Sequence, residues 1–129
     1  MQANPSCHAS VSDVSATAIS NLVLQAKSIG ISQDRLCAFV CDATDIEQCA
    51  HTSASIIAEH GPADVAMLVF TLSAVPPDSM GAALQTAWAF LRPGGTLLIR
   101  DYGLYDMTAL RFPPEQRIDD GLYFRCESC

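Results

Sequence analysis

Two aspartates, Asp13 and Asp42, each stand at the end of a β-prone run, and their chemistry is that of paired hydrogen-bond acceptors. In open α/β sheets, ligands bind outside the carboxyl ends of the strands, which is where such side chains are delivered. Asp13 closes ASVSD (Ala9–Asp13), where an acid can accept from both hydroxyls of a ribose. Asp42 follows Leu36–Cys41 at once, where it can accept an adenine amino group, with the Ala43 amide close to the base. Val69, near the end of a third apolar run, can support the face of the purine. The alternative for each acid is a loop or helix-start carboxylate favoured by the helix dipole. Two in register on successive strands, followed by LRPGG at Leu91–Gly95, shift the reading toward a ligand.

These residues require strands alternating with helices. Ser15 is a good N-cap, and Ile19, Leu22, Val23 and Ala26 recur at helical spacing until Gly30. Ile46, Cys49, Ala50, Ala54, Ile57 and Ala58 form a second stripe, stopped by Gly61 and Pro62. Asp64–Phe70 is too continuously apolar for an amphipathic edge and reads as a central strand. Pro76, Pro77 and Asp78 open a third helix with Met80, Leu84, Ala87, Trp88 and Leu91 inward. Pro93 forbids its continuation, Gly94 and Gly95 turn the backbone, and Thr96–Arg100 is the fourth strand. The expectation is one α/β domain over residues 1–129, with a parallel sheet covered on both faces.

Composition narrows the function. At 129 residues with half of them apolar, the chain should bury roughly two-thirds of its unfolded surface. No apolar run approaches the roughly 20 residues that cross a bilayer, so no membrane is expected. MQANPSCHAS has neither a basic region nor an apolar core, and a cytoplasmic protein is the expectation. A net charge of −7 argues against this chain alone gripping a phosphate backbone. Six cysteines in such a chain read as thiols. Cys37 and Cys41 share a strand face, and Cys49 sits on a helical stripe. Cys126 and Cys129 make only half a zinc site, so no metal is expected. His8, His51 and His60 sit in no nucleophile or ligand constellation.

The order NP…VSDVS…AFVCDAT…DVAMLVFTLSAVPPD…LRPGGTLLIRDYGLYDMTALRF resembles the methyltransferase-like enzymes that make 3-methylcytidine in the anticodon loop of tRNA. LRPGG marks class I methyltransferases in general, whereas LSAVPPD (Leu72–Asp78) and RDYGLYD (Arg100–Asp106) are narrower. The resemblance implies a Rossmann-like sheet, S-adenosyl-L-methionine as cofactor and tRNA as substrate. It places Asp13, Asp42, Ala43 and Val69 at cofactor-contacting positions, and Tyr102 and Arg111 on the substrate side. An aminoacyl-tRNA synthetase or other helper protein is a further implied partner. No catalytic residue is singled out. Asp101 and Asp106 are equal candidates for a carboxylate near the methylated ring, and Arg100 with Asp101 could equally be a structural ion pair.

The departures define a second expectation. No GxGxG-like loop occurs in the sequence. By the resemblance the chain is a middle portion, lacking the first, central strand between Ala9–Asp13 and Asp64–Phe70, and the C-terminal antiparallel strands. A strand of about 5–6 residues would leave about ten backbone groups without partners. At roughly 1 kcal/mol each, that approaches the about 5–15 kcal/mol of a whole domain. The two edges must then pair directly, recruit another chain, or leave a marginal fold that aggregates. A non-catalytic subunit or interaction module is the rival reading. A nicotinamide-dependent oxidoreductase is weaker, because RDYGLYD has no role there.

Overall fold

A computed structural model describes residues 6–124 of the chain; Cys126 and Cys129 lie outside the described residues. Strand β1 (Ala9–Asp13) leads into helix α1 (Ala16–Ser28), strand β2 (Leu36–Val40), helix α2 (Ile46–His60) and strand β3 (Ala63–Val69). Helix α3 (Met80–Ala89), strand β4 (Leu91–Arg100), a short helix α4 (Met107–Arg111) and strands β5 (Arg117–Asp119) and β6 (Leu122–Tyr123) follow.

Local chemistry sets the first unit. The Ser15 hydroxyl accepts from the Ala18 amide at 3.2 Å and starts α1. Gly30, at φ 77°, donates its N–H to the Lys27 carbonyl and ends it. Ile19 and Ala26 are buried, with Leu22 and Val23 beside them, on the face packed against β1 and β2. Asp45 caps α2 by accepting from the Gln48 amide at 2.9 Å.

The strands form parallel pairs, as alternation implies, but in two separate sheets. β1 pairs with β2, Ala9 opposite Leu36 through Asp13 opposite Val40. β3 pairs with β4, Val65 opposite Thr96 through Val69 opposite Arg100. No ladder joins β1 to β3 among the described residues, so direct pairing of those two edges does not occur. Phe39 of β2 and Phe90, just after α3, stack at 6.2 Å and connect the two halves.

Four expectations need correction. β3 is not covered on both faces: Leu68 is buried, but Val65, Met67 and Val69 are exposed, because α3 covers one face and β4 is the single neighbouring strand among the described residues. The buried face of α2 is Cys49, Ser53 and Ile56, rotated from the apolar stripe, so Ile46, Ala50, Ala54 and Ala58 face out. Ser53 can be buried because its hydroxyl donates to the Ala50 carbonyl at 3.0 Å. Trp88 points outward at 71 % exposure, since Ala83, Thr86 and Ala87 make the contact face of α3 with α2 and the β3–β4 pair.

The fourth correction concerns LRPGG, which is part of a strand rather than a turn before one. Phe90 accepts from the Ala63 amide at 2.8 Å, and Leu91 already stands opposite Ala63. Thr96 stands opposite Val65, so Arg92–Gly95 bulge out against Asp64. Arg92 Nε donates to the Asp64 carboxylate at 2.6 Å across this bulge. Past β4, the chain also forms a small antiparallel pair, β5 with β6. Phe112 and Tyr123 stack at 5.0 Å and hold that pair to the end of α4.

Candidate functional site

The carboxyl ends of the parallel pairs carry nearly every residue singled out from the sequence. Asp13 and Asp42 emerge at the same end of the β1–β2 pair. The ladder continues one step past β2, the Cys41 amide donating to the Asp13 carbonyl at 3.1 Å. Both side chains are exposed. Asp13 Oδ1 accepts from the Ser15 amide at 2.7 Å. Asp42 Oδ1 accepts from the Thr44 amide at 2.9 Å and the Thr44 hydroxyl at 2.7 Å. The Thr44 amide and hydroxyl hold the Asp42 carboxyl below its ordinary value, so it is an anion at neutral pH. Each acid therefore spends one oxygen on its own turn and keeps a second that accepts from none of the described residues. Ala43 is half-buried behind Asp42.

At the end of the β3–β4 pair, Val69 is exposed beside Phe70, which adopts φ 52°. For a bulky residue that left-handed conformation is costly and persists only where the surroundings enforce it. Here the Phe70 amide donates to the Arg100 carbonyl at 2.8 Å. The Phe70 ring lies 5.1 Å from the Tyr102 ring, and the Arg100 guanidinium sits 5.5 Å from the Phe70 centroid. Two partly exposed aromatics and a cation thus form a platform at the strand ends. Sequence reasoning missed this conformation of Phe70, for which an aromatic closing a β-run is the one available hint.

The Arg100–Asp101 ion pair left open by the sequence is not formed among the described residues. Arg100 covers Phe70 instead, and Asp101 Oδ2 accepts from the Ser73 amide at 3.0 Å. Partial burial pushes the Asp101 carboxyl up, but the bonds from Ser73 and Tyr102 outweigh it and hold the group below its ordinary value. Asp106 caps α4, accepting from the Ala109 amide at 2.7 Å and the Gly103 amide at 3.0 Å, and these amides likewise lower its carboxyl. Both carboxylates are therefore committed to backbone donors. Tyr102 and Arg111 line one open recess of about 430 Å³, together with Thr108, Phe112, Pro113 and Gln116.

Among the described residues no group of three or more His, Cys, Asp or Glu side chains could hold a metal ion, and no helix is long and apolar enough to cross a membrane. His8 Nδ1 lies 3.2 Å from the Asp34 carbonyl and His60 3.6 Å from Glu59, both at the surface.

No family model matches the chain. Curated relatives do. O-methyltransferase 3 of Dictyostelium discoideum is 39 % identical over 131 residues, covering 98 % of this chain and 28 % of the relative. The tRNA N(3)-cytidine methyltransferase METTL6 of Homo sapiens is 39 % identical over 92 residues, 71 % of this chain and 30 % of the relative. The tRNA N(3)-cytidine methyltransferase METTL2 of Mus musculus is 38 % identical over 122 residues, 95 % of this chain and 29 % of the relative.

In sequence, the chain is similar to tRNA N(3)-cytidine methyltransferases over 71–95 % of its length. The resemblance carried by LSAVPPD and RDYGLYD is thereby supported across most of the chain. The chain spans 28–30 % of the length of these three relatives.

Proposed function

We propose that residues 1–129 form part of an S-adenosylmethionine-dependent methyltransferase domain of Rossmann-like α/β architecture, acting on cytidine N3 in the anticodon loop of tRNA. One observation carries this reading: two exposed carboxylates at the carboxyl ends of adjacent parallel strands, in a chain similar to tRNA N(3)-cytidine methyltransferases. The residues present fit the nucleoside end of the donor. Asp13 keeps an oxygen for the sugar hydroxyls, and anionic Asp42 keeps one for the purine amino group. In this reading the Ala43 amide would lie close to the base, and Val69 would support its apolar face. When bound, S-adenosylmethionine supplies a methyl group made electrophilic by the sulfonium.

The chain's own contribution on the acceptor side is positioning. Cytosine N3 carries a free lone pair at neutral pH, so no strong base is needed. That atom lies on the Watson–Crick edge, so the base must leave its stack, and an aromatic surface repays part of the cost. Tyr102 and Phe70 offer such a surface, and Arg111 offers a cation to a neighbouring phosphate across the recess. Since Asp101 and Asp106 are both held by backbone amides, neither is assigned to the methylated ring. With a net charge of −7 on these residues, the RNA would be held by a local patch, by a further segment or by a partner, and an aminoacyl-tRNA synthetase or other helper protein in the cytoplasm would fit the last role.

Calorimetric titration of S-adenosylmethionine into the chain tests the reading. Saturable binding, weakened at least about tenfold by Asp13→Ala or Asp42→Ala, is expected, equivalent to losing about 1.4 kcal/mol. A cooperatively folded chain with no saturable binding would overturn it and favour an interaction module.

A further inference from the structure

The sulfurs of Cys41 and Cys49 stand 2.7 Å apart, the closest approach of two reactive side chains among the described thiols. Cys41 follows β2 directly and Cys49 lies in the first turns of α2, so the two close the loop that carries Asp42. Both sulfurs also face the Asp42 carbonyl: Cys49 Sγ donates to it at 3.1 Å, and Cys41 Sγ lies at 3.8 Å. Cys41 is 5 % exposed and Cys49 1 %. Cys37, four residues earlier in β2, is half-buried.

Two neutral thiols gain little from being held at this distance, since S–H is a weak donor and sulfur a weak acceptor. A covalent S–S bond is roughly 2.05 Å, so only a fraction of an ångström separates the native arrangement from a bond. Pre-positioned partners react with an effective concentration far above any intermolecular competitor. Burial excludes bulky oxidants and leaves small, uncharged ones.

We propose that Cys41 and Cys49 are a modification site, at which hydrogen peroxide forms an intramolecular disulfide beneath the Asp42 loop. One peroxide oxygen is transferred to the Cys49 sulfur, giving a sulfenic acid and releasing water. The Cys41 sulfur then attacks that sulfur, its proton leaving with the displaced hydroxide as a second water. Peroxide is reduced by two electrons, and the two thiols are oxidised by the same two. Burial and the contact with Cys49 push the Cys41 thiol up to about 12, which slows this step, so the sulfur attacks as its proton passes to the departing hydroxide and proximity supplies the advantage. The bond would fix the path of the backbone from Cys41 to Cys49, and with it the acid assigned above to the purine. That last consequence rests on the proposed function; the disulfide itself does not.

The test is peroxide treatment of the folded chain of residues 1–129, alkylation, and digestion on the amino side of aspartate. Cleavage before Asp42 and Asp45 separates Cys41 from Cys49, so a bond between them links residues 34–41 to residues 45–63. The linked pair, two hydrogens lighter than its components and released by dithiothreitol, is the expected product. It should persist in Cys37→Ser, which shares the first peptide, and vanish in Cys41→Ala. The same treatment in urea should give mixed pairings among the six cysteines, with the native pairing favoured at least about tenfold in the folded chain. Linkage through Cys37 or Cys7, sulfinic acid without linkage, or equal pairing in urea would each overturn the proposal. Retained linkage with no S-adenosylmethionine binding in either redox state would leave the site standing and sink only the functional reading.

Discussion

Asp101, at the end of β4, reaches back 28 residues to accept the Ser73 amide at 3.0 Å. This bond ties RDYGLYD to LSAVPPD and closes the rim on which Phe70 and Tyr102 sit. Removing it with Asp101→Ala should cost about 1 kcal/mol of stability, read from the urea midpoint. An unchanged midpoint would show that the rim is held by the aromatic stack instead.

The same carboxylate predicts an acid limb. Its folded value is lowered from 3.8, as are those of Asp42 and Asp106. Such groups stabilise the fold fully above their unfolded value, and the contribution disappears as pH falls through the lowered folded one. Stability should thus be flat near neutrality and drop below about pH 4. Asp101→Asn should flatten that drop; superimposable acid limbs for variant and parent would refute the assignment.

Two glycines should respond oppositely to alanine. A Cβ on Gly95 would lie 3.0 Å from the Arg92 carbonyl oxygen and 3.0 Å from Leu91 Cδ2, whereas one on Gly81 meets nothing within 4 Å. Gly95→Ala should destabilise by about 1–3 kcal/mol through backbone displacement. Gly81→Ala, in α3, should stabilise by about 0.5 kcal/mol. Denaturant curves showing the reverse order would contradict the bulge.

Phe70 inverts another rule. Glycine is ordinarily the less stable replacement, but at φ 52° it is free of the strain that a Cβ imposes. Phe70→Gly should therefore be more stable than Phe70→Ala by about 1 kcal/mol. Equal or lower stability of the glycine variant would mean that residue 70 relaxes once its ring is gone.

Trp88 offers a direct optical check. At 71 % exposure its emission should be red-shifted and quenched by iodide in the native state, and Trp88→Ser should change stability by no more than about 0.5 kcal/mol. Blue-shifted, unquenched emission would restore the inward orientation that helical spacing suggests, or reveal a cover over this face.

What the sequence made legible was local. Ser15, Gly30, Asp13 and Asp42 announce where α1 starts and stops and where β1 and β2 deliver their acids, because capping and strand-end placement depend on near neighbours. The inward face of α2 was misread because Ser53 satisfies its own hydroxyl on the preceding turn and so counts as core. Trp88 was misread because its helical spacing put it on the apolar stripe, while close helix contact is made by Ala83 and Ala87. The Phe70 conformation and the Asp101–Ser73 bond join residues nearly thirty apart, and no periodicity encodes that.

The crowding around Gly95 gives the LRPGG signature a different meaning. Its second glycine is required because the Arg92 and Asp64 carbonyl oxygens and a leucine methyl leave no room for a side chain. Those letters record how a chain threads from helix into strand; they do not record chemistry. A search keyed to them therefore selects for a backbone path before it selects for an activity.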